Sequence, residues 1–70
     1  MRHYIRAGVV EALVAKRMKG NMSEFIRQVG VPRSNVYRFL HKQSEPSLNF
    51  LLRAEEVLRV DLRVFLEEQE

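Results

Sequence analysis
The sequence contains no cysteine, so neither a disulfide nor a thiolate-bound metal can brace the chain. Its two histidines are too few to build a zinc site alone. Long hydrophobic runs are missing as well: apolar residues occur in short stretches, far below the roughly 20 needed to cross a bilayer. No apolar segment followed by a small-residue cleavage site marks a signal peptide. These absences lead us to expect a soluble, unprocessed protein of a reducing, cytoplasmic compartment. There is also no alternating strand pattern, no internal repeat and no low-complexity tract. Finally, no nucleophile stands beside a base, and His3 and His41 have no acid at helical spacing to orient them. The expectation is a non-enzyme without cofactor, metal or small-molecule substrate.

What is present is a chain of 70 residues, near the lower limit at which a single core holds without cross-links. Residues 1–70 are therefore read as one domain, with no room for a separate ligand-sensing domain. The net charge is only +3, but its distribution is lopsided. Residues 1–42 carry nine Lys/Arg against Glu11 and Glu24, net +7, while residues 43–70 carry three Arg against seven acids, net −4. Such a division suggests one face for a polyanion and another turned away from it.

Hydrophobic spacing predicts five helices. Residues 1–7, with Arg2 and Arg6, read as a basic N-terminal arm or an early first turn. A helix is expected from about Gly8 to Lys19, with Val10, Leu13 and Val14 on one side and Lys16, Arg17 and Lys19 at the end where the macrodipole favours cations. Gly20 stops it. Asn21 is a suitable N-cap, with Glu24 as its capping-box partner. Ser47 caps a fourth helix reaching about Arg59, with Leu48, Leu51, Leu52, Glu55 and Leu58 on one side and Phe50, Ala54 and Val57 on a narrower second stripe. Glu55 is out of place among leucines and should find an arginine or water. Asp61 would cap a last short helix bearing Leu62, Phe65 and Leu66. The expected fold is all-α, a compact five-helix bundle.

The most informative stretch is Met22 to His41. Met22, Phe25, Ile26 and Val29 fall on one side of a helix. Gly30 can take the positive φ that ends it, and Pro32 suits the start of the next. From Arg33, Val36, Phe39 and Leu40 share one side while Ser34, Tyr37, Arg38 and His41 share the other. This pattern reads as a helix-turn-helix whose second helix enters the major groove of DNA.

From Gly30 onward the chain resembles the Cro/phage-repressor (Xre) type of helix-turn-helix protein. Gly30, Val31, Pro32, Arg33, Ser34, Asn35 and Val36 meet that family's turn and second-helix pattern. Pro46, Ser47 and Leu48 match its fourth-helix start, and Leu58, Val60 and Leu62 its closing apolar triplet. Ile26 stands where a small alanine is usual, and Arg59 where glycine commonly ends the fourth helix. The resemblance implies a lambda-repressor-like bundle in which the second and third of five helices read DNA. Leu40 and the pair Tyr37-Arg38 are closer to a subgroup of small antitoxins from addiction modules.

The residues then take expected roles. Arg33, Ser34 and Arg38 would meet base edges, an arginine bonding guanine in a bidentate way. Tyr37 would contact a phosphate or a thymine methyl, and Asn35 a phosphate or its own backbone. Met22 and Ser23 sit at a helix N-terminus suited to phosphate. His41, Lys42, Gln43 and Ser44 would lie along the DNA backbone, and Arg2 and Arg6 would reach around the duplex. The bland alternative is an ordinary solvated helix face and an exposed basic terminus. Phe50, Val57, Phe65 and Leu66 are candidates for a dimer interface, the alternative being intramolecular core; Phe50 is favoured as a lone aromatic off the main stripe. Two copies about 34 Å apart would bind an inverted repeat as a homodimer. The leading function is a sequence-specific transcriptional regulator of double-stranded DNA. The alternatives are an antitoxin that also covers a toxin protein, and a protein-interaction helical module without DNA binding.

Overall fold
The computed structural model describes residues 2–69. In it the chain runs through strand β1 (Arg2–Ile5), helices α1 (Val9–Arg17), α2 (Met22–Val29), α3 (Arg33–Leu40) and α4 (Leu48–Leu58), a single 3-10 turn (Leu62–Val64) and strand β2 (Leu66–Gln69). Four helices and a two-stranded antiparallel sheet thus replace the five-helix all-α bundle expected from hydrophobic spacing.

The departure lies at both ends of the chain and has one cause. Residues 62–70 are too few to recover the nucleation cost of a helix unless they bury a full stripe. Residues 66–69, extended, instead satisfy the backbone of residues 2–5, with Arg2 opposite Gln69, His3 opposite Glu68, Tyr4 opposite Glu67 and Ile5 opposite Leu66. The pairing lets Ile5 and Phe65 both disappear from solvent. Arg6 N–H donates to the Phe65 carbonyl at 2.7 Å, so by antiparallel alternation the amide of His3 points off the sheet. There it donates to Glu45 Oε1 at 3.2 Å. On the other strand the Leu66 carbonyl accepts from Arg6 Nε at 2.9 Å. Both edges are therefore partly covered by side chains, a common defence against strand addition. The predicted free basic arm does not exist: Arg2 and Arg6 belong to this closure.

Local signals account for the helices. Asn21 Oδ1 accepts from the Glu24 amide at 3.0 Å, capping α2. Glu24 does not return the bond to Asn21, because its carboxylate is taken by Arg27 and Gln28. Gly30 ends α2 at φ 74° while its amide donates to the Ile26 carbonyl. Ser47 Oγ accepts from the Phe50 amide and starts α4.

The core is drawn from β1 and all four helices, with one residue from each of two connections: Ile5, Val10 and Val14, Phe25, Ile26 and Val29, Val31, Val36, Phe39 and Leu40, then Phe50, Ala54 and Leu58, and Phe65. α4 is rotated by roughly 100° from its expected orientation, one residue's turn, so that Phe50, Ala54 and Leu58 face inward. Leu48 and Leu52 are left 67% and 48% exposed. The reason is aromatic. Phe25 meets Phe50 edge-on with ring centroids 6.3 Å apart, and Phe39 meets it tilted at 5.1 Å. One phenylalanine in contact with two others outweighs two leucines. Phe50 and Phe65 are consequently core residues and not the dimer contacts expected of them, while Val57 and Leu66 are half-buried against the core. Glu55, on the flank of α4, accepts from the Leu62 amide at 2.9 Å, and so finds a backbone donor instead of an arginine.

Replacing Phe50 by alanine removes the ring on which both neighbours rest, and should cost about 3–5 kcal/mol. Urea unfolding of Phe50→Ala would then show a domain of this size largely unfolded, whereas Leu52→Ala should change stability by less than about 1 kcal/mol.

Candidate functional site
α3 displays the residues singled out for DNA. Its inward side, Val36, Phe39 and Leu40, is buried. Arg33, Ser34, Tyr37, Arg38 and His41 are exposed on the outer side, and Asn35 is half-buried at its edge. Pro32 sets the entry: it precedes the first helical residue with φ −51° and ψ 138°, and its carbonyl accepts from the amides of Asn35 and Val36.

The turn at Gly30 brings the starts of α2 and α3 together. Arg33 Nη2 donates to Ser23 Oγ across 3.4 Å, a long contact that leaves the guanidinium free to turn outward. Met22 is half-buried beneath the same corner. Along α3, Tyr37 and His41 stack with ring centroids 6.2 Å apart and planes 13° apart. Their i, i+4 spacing was the available signal for this aromatic ledge, with Tyr37 38% exposed.

Charge on this face is edited by the rest of the chain. Lys42, in a left-handed conformation at φ 58°, pairs with Glu67 of β2 through Nζ and Oε1. An ammonium held in this way is not the free phosphate contact that sequence reasoning assigned to it. Gln43 remains exposed beside it, its amide donating to the Arg38 carbonyl, and Ser44 is half-buried. At the N-terminus, the hydrogen bond and charge of Tyr4 raise the Arg2 pKa, and the charge of Glu45 adds to this. Arg2 and Arg6 therefore do not join the α3 face as a free arm. His3 Nε2 lies 3.3 Å from Glu68 Oε1, an acid supplied by strand pairing and not by helical spacing. No function-bearing role had been assigned to Glu67 or Glu45; only the sheet brings them to Lys42 and His3.

No family model, curated protein or solved structure matches this chain. What these side chains can touch is then the ground for a function. Among the described residues there is no group of three or more His, Cys, Asp or Glu able to hold a metal. No helix of the described residues is long and apolar enough to cross a membrane.

The flank of α2 turned away from this face is neutralised internally. Glu24 accepts from Arg27 Nε at 2.7 Å and from Gln28 Nε2 at 3.2 Å, and these bonds, with the Arg27 charge, lower its pKa from 4.5 to about 2. A depressed carboxylate pKa means that its contribution to α2 is complete above the ordinary value and is lost as pH falls through the folded one. A carboxyl titration by NMR should therefore place the Glu24 inflection near 2, and Arg27→Ala should return it toward 4.5.

Proposed function
We propose that this protein reads double-stranded DNA in a sequence-specific way, as a homodimer that regulates transcription by occupying its site. The observation that carries the reading is the two-sidedness of α3: apolar residues wholly inward, and a continuous outer side of Arg33, Ser34, Tyr37, Arg38 and His41 open to solvent. A short helix turned outward by a tight corner, with hydrogen-bonding groups at its start, has the form that fits a major groove. Arg33 and Arg38 are the base-reading candidates, Ser34 a shorter-range one. Ser23, Asn35 and Gln43 would hold phosphates, and the Tyr37–His41 ledge would lie against sugar or a thymine methyl. Kinship with the Cro/phage-repressor type is part of the same proposal, for the helix-turn-helix unit alone. So are a cytoplasmic location and a role without catalysis.

A single unit of this size grips few base pairs, so a second copy about one helical turn away, roughly 34 Å, is needed for affinity. Since Phe50 and Phe65 are buried, the surface favoured for self-association is the outer side of α4. Leu48 and Leu52 stand one turn apart there, beside a groove of about 380 Å³ lined by Leu51, Leu62 and Leu66. Exposed leucines at that spacing are apolar surface of the kind that marks an interface.

Selection of bound duplexes from a random pool tests the reading. Wild-type protein should return a short repeated half-site, and Arg33→Ala or Arg38→Ala should lose discrimination at one base pair, worth about 1–3 kcal/mol. Recovery of no common sequence would sink the proposal. A free phosphate-contacting lysine contributes about one unit of salt slope. Because Glu67 already holds it, Lys42→Ala should change that slope by less. Leu48→Glu combined with Leu52→Glu should sediment as a monomer and bind a two-half-site duplex no better than a single half-site.

A further inference from the structure
Within the described residues, the cationic side chains with neither a hydrogen bond nor an ion pair are Lys16, Arg17, Lys19, Arg38 and Arg59. Arg38 lies on α3. The other four surround one groove of about 700 Å³, where the C-terminal ends of α1 and α4 meet the start of α2. The apolar part of its floor is formed by the half-buried Met18 and Val57, and the acid on its wall, Glu24, is already committed to Arg27. We propose that this groove is a docking site for an acidic peptide segment of a partner protein, one that places an apolar side chain on the floor and carboxylates against the rim.

The favourable field at a helix C-terminus explains a cation there, but not the convergence of four around a concavity. Backbone conformation adds an independent sign. Lys19 and Arg59 follow the ends of α1 and α4 with φ 56° at each, a left-handed conformation that glycine adopts without penalty. Retaining long cations at two strained positions that face the same groove points to work for the side chains themselves. Charge complementarity sets the partner's sign, and the apolar floor favours a peptide over a phosphate backbone, which has no side chain to bury.

The groove also lies apart from the α3 face. On α2, Glu24 and Gln28 line it, whereas Ser23, which meets Arg33, sits on the opposite flank at 100° per residue. Docking here leaves α3 accessible, and the inference stands whether or not α3 reads DNA.

The probe is a short fluorescent peptide of glutamates interspersed with leucines, compared with its lysine counterpart and with a random-sequence DNA duplex. Anisotropy and amide-shift mapping should show the acidic peptide bound, its affinity falling with salt, and the shifts gathered at Lys19, Gln28 and Arg59. Lys16→Glu combined with Arg59→Glu should weaken binding about tenfold. Arg59→Gly separates recognition from folding: it should raise Tm by relieving the backbone while weakening the peptide. The proposal is overturned if the acidic peptide fails to bind, if its shifts fall on α3, or if Arg59→Gly binds it as the parent does. Stronger perturbation of the groove by the duplex would also overturn it, in favour of a nucleic-acid surface.

Discussion
The contact of Phe25 and Phe39 with Phe50 is the constraint from which the rest of the molecule follows. α2 and α3 are each only eight residues long, too short to persist alone in water. Their stability comes from packing, and the packing converges on one ring near the start of α4. With Phe25 set edge-on and Phe39 tilted against it, the inward sides of both helices are fixed. The outward side of α3 is therefore fixed too. Ser47 serves the same end, because its hydroxyl caps α4 at the Phe50 amide itself. The aromatic cluster and the exposure of Arg33 and Arg38 are two consequences of one arrangement.

Closure of the termini is the second constraint, and it rearranges charge. The sequence divides into a basic first part and an acidic second part, which suggests two faces of opposite sign. Folding mixes them. β2 carries Glu67 to Lys42 and Glu68 to His3, while Glu45 meets the β1 amide. Glu67 thereby neutralises Lys42, and the charge of Glu45 acts on Arg2. Among the described residues, the cations that remain unpaired lie in two places, the α3 face and the groove between the ends of α1 and α4. Exposed ion pairs of this kind add little stability; their consequence is to decide where positive potential survives.

The corner from Asn21 to His41 is legible in the sequence because every signal in it is local. A cap acts over three residues, a glycine ends a helix at its own position, and a helical stripe repeats within two turns. The outer face of α3 is readable for the same reason. α4 is legible only in extent. It carries two overlapping stripes, and spacing counts Leu48 and Leu52 equally with Phe50, although an aromatic ring with two aromatic neighbours buries more surface and makes more contacts. The residues at positions 66–69 are less legible still, since their partner lies at the other end of the chain and a pattern such as Leu-Glu-Glu-Gln fits a helix as well as an edge strand.

The amino-acid sequence by itself determined the helix-turn-helix corner, the caps of α2 and α4, the absence of any cross-link and the polar front of α3, because each depends on neighbours a few positions away. Tertiary structure alone decided the side of α4 that faces inward, the joining of the termini into a sheet, the capture of Lys42 by Glu67 and the gathering of free cations into one groove. Those features rest on contacts between residues far apart in the chain, where the energy belongs to the pair and is written in neither member.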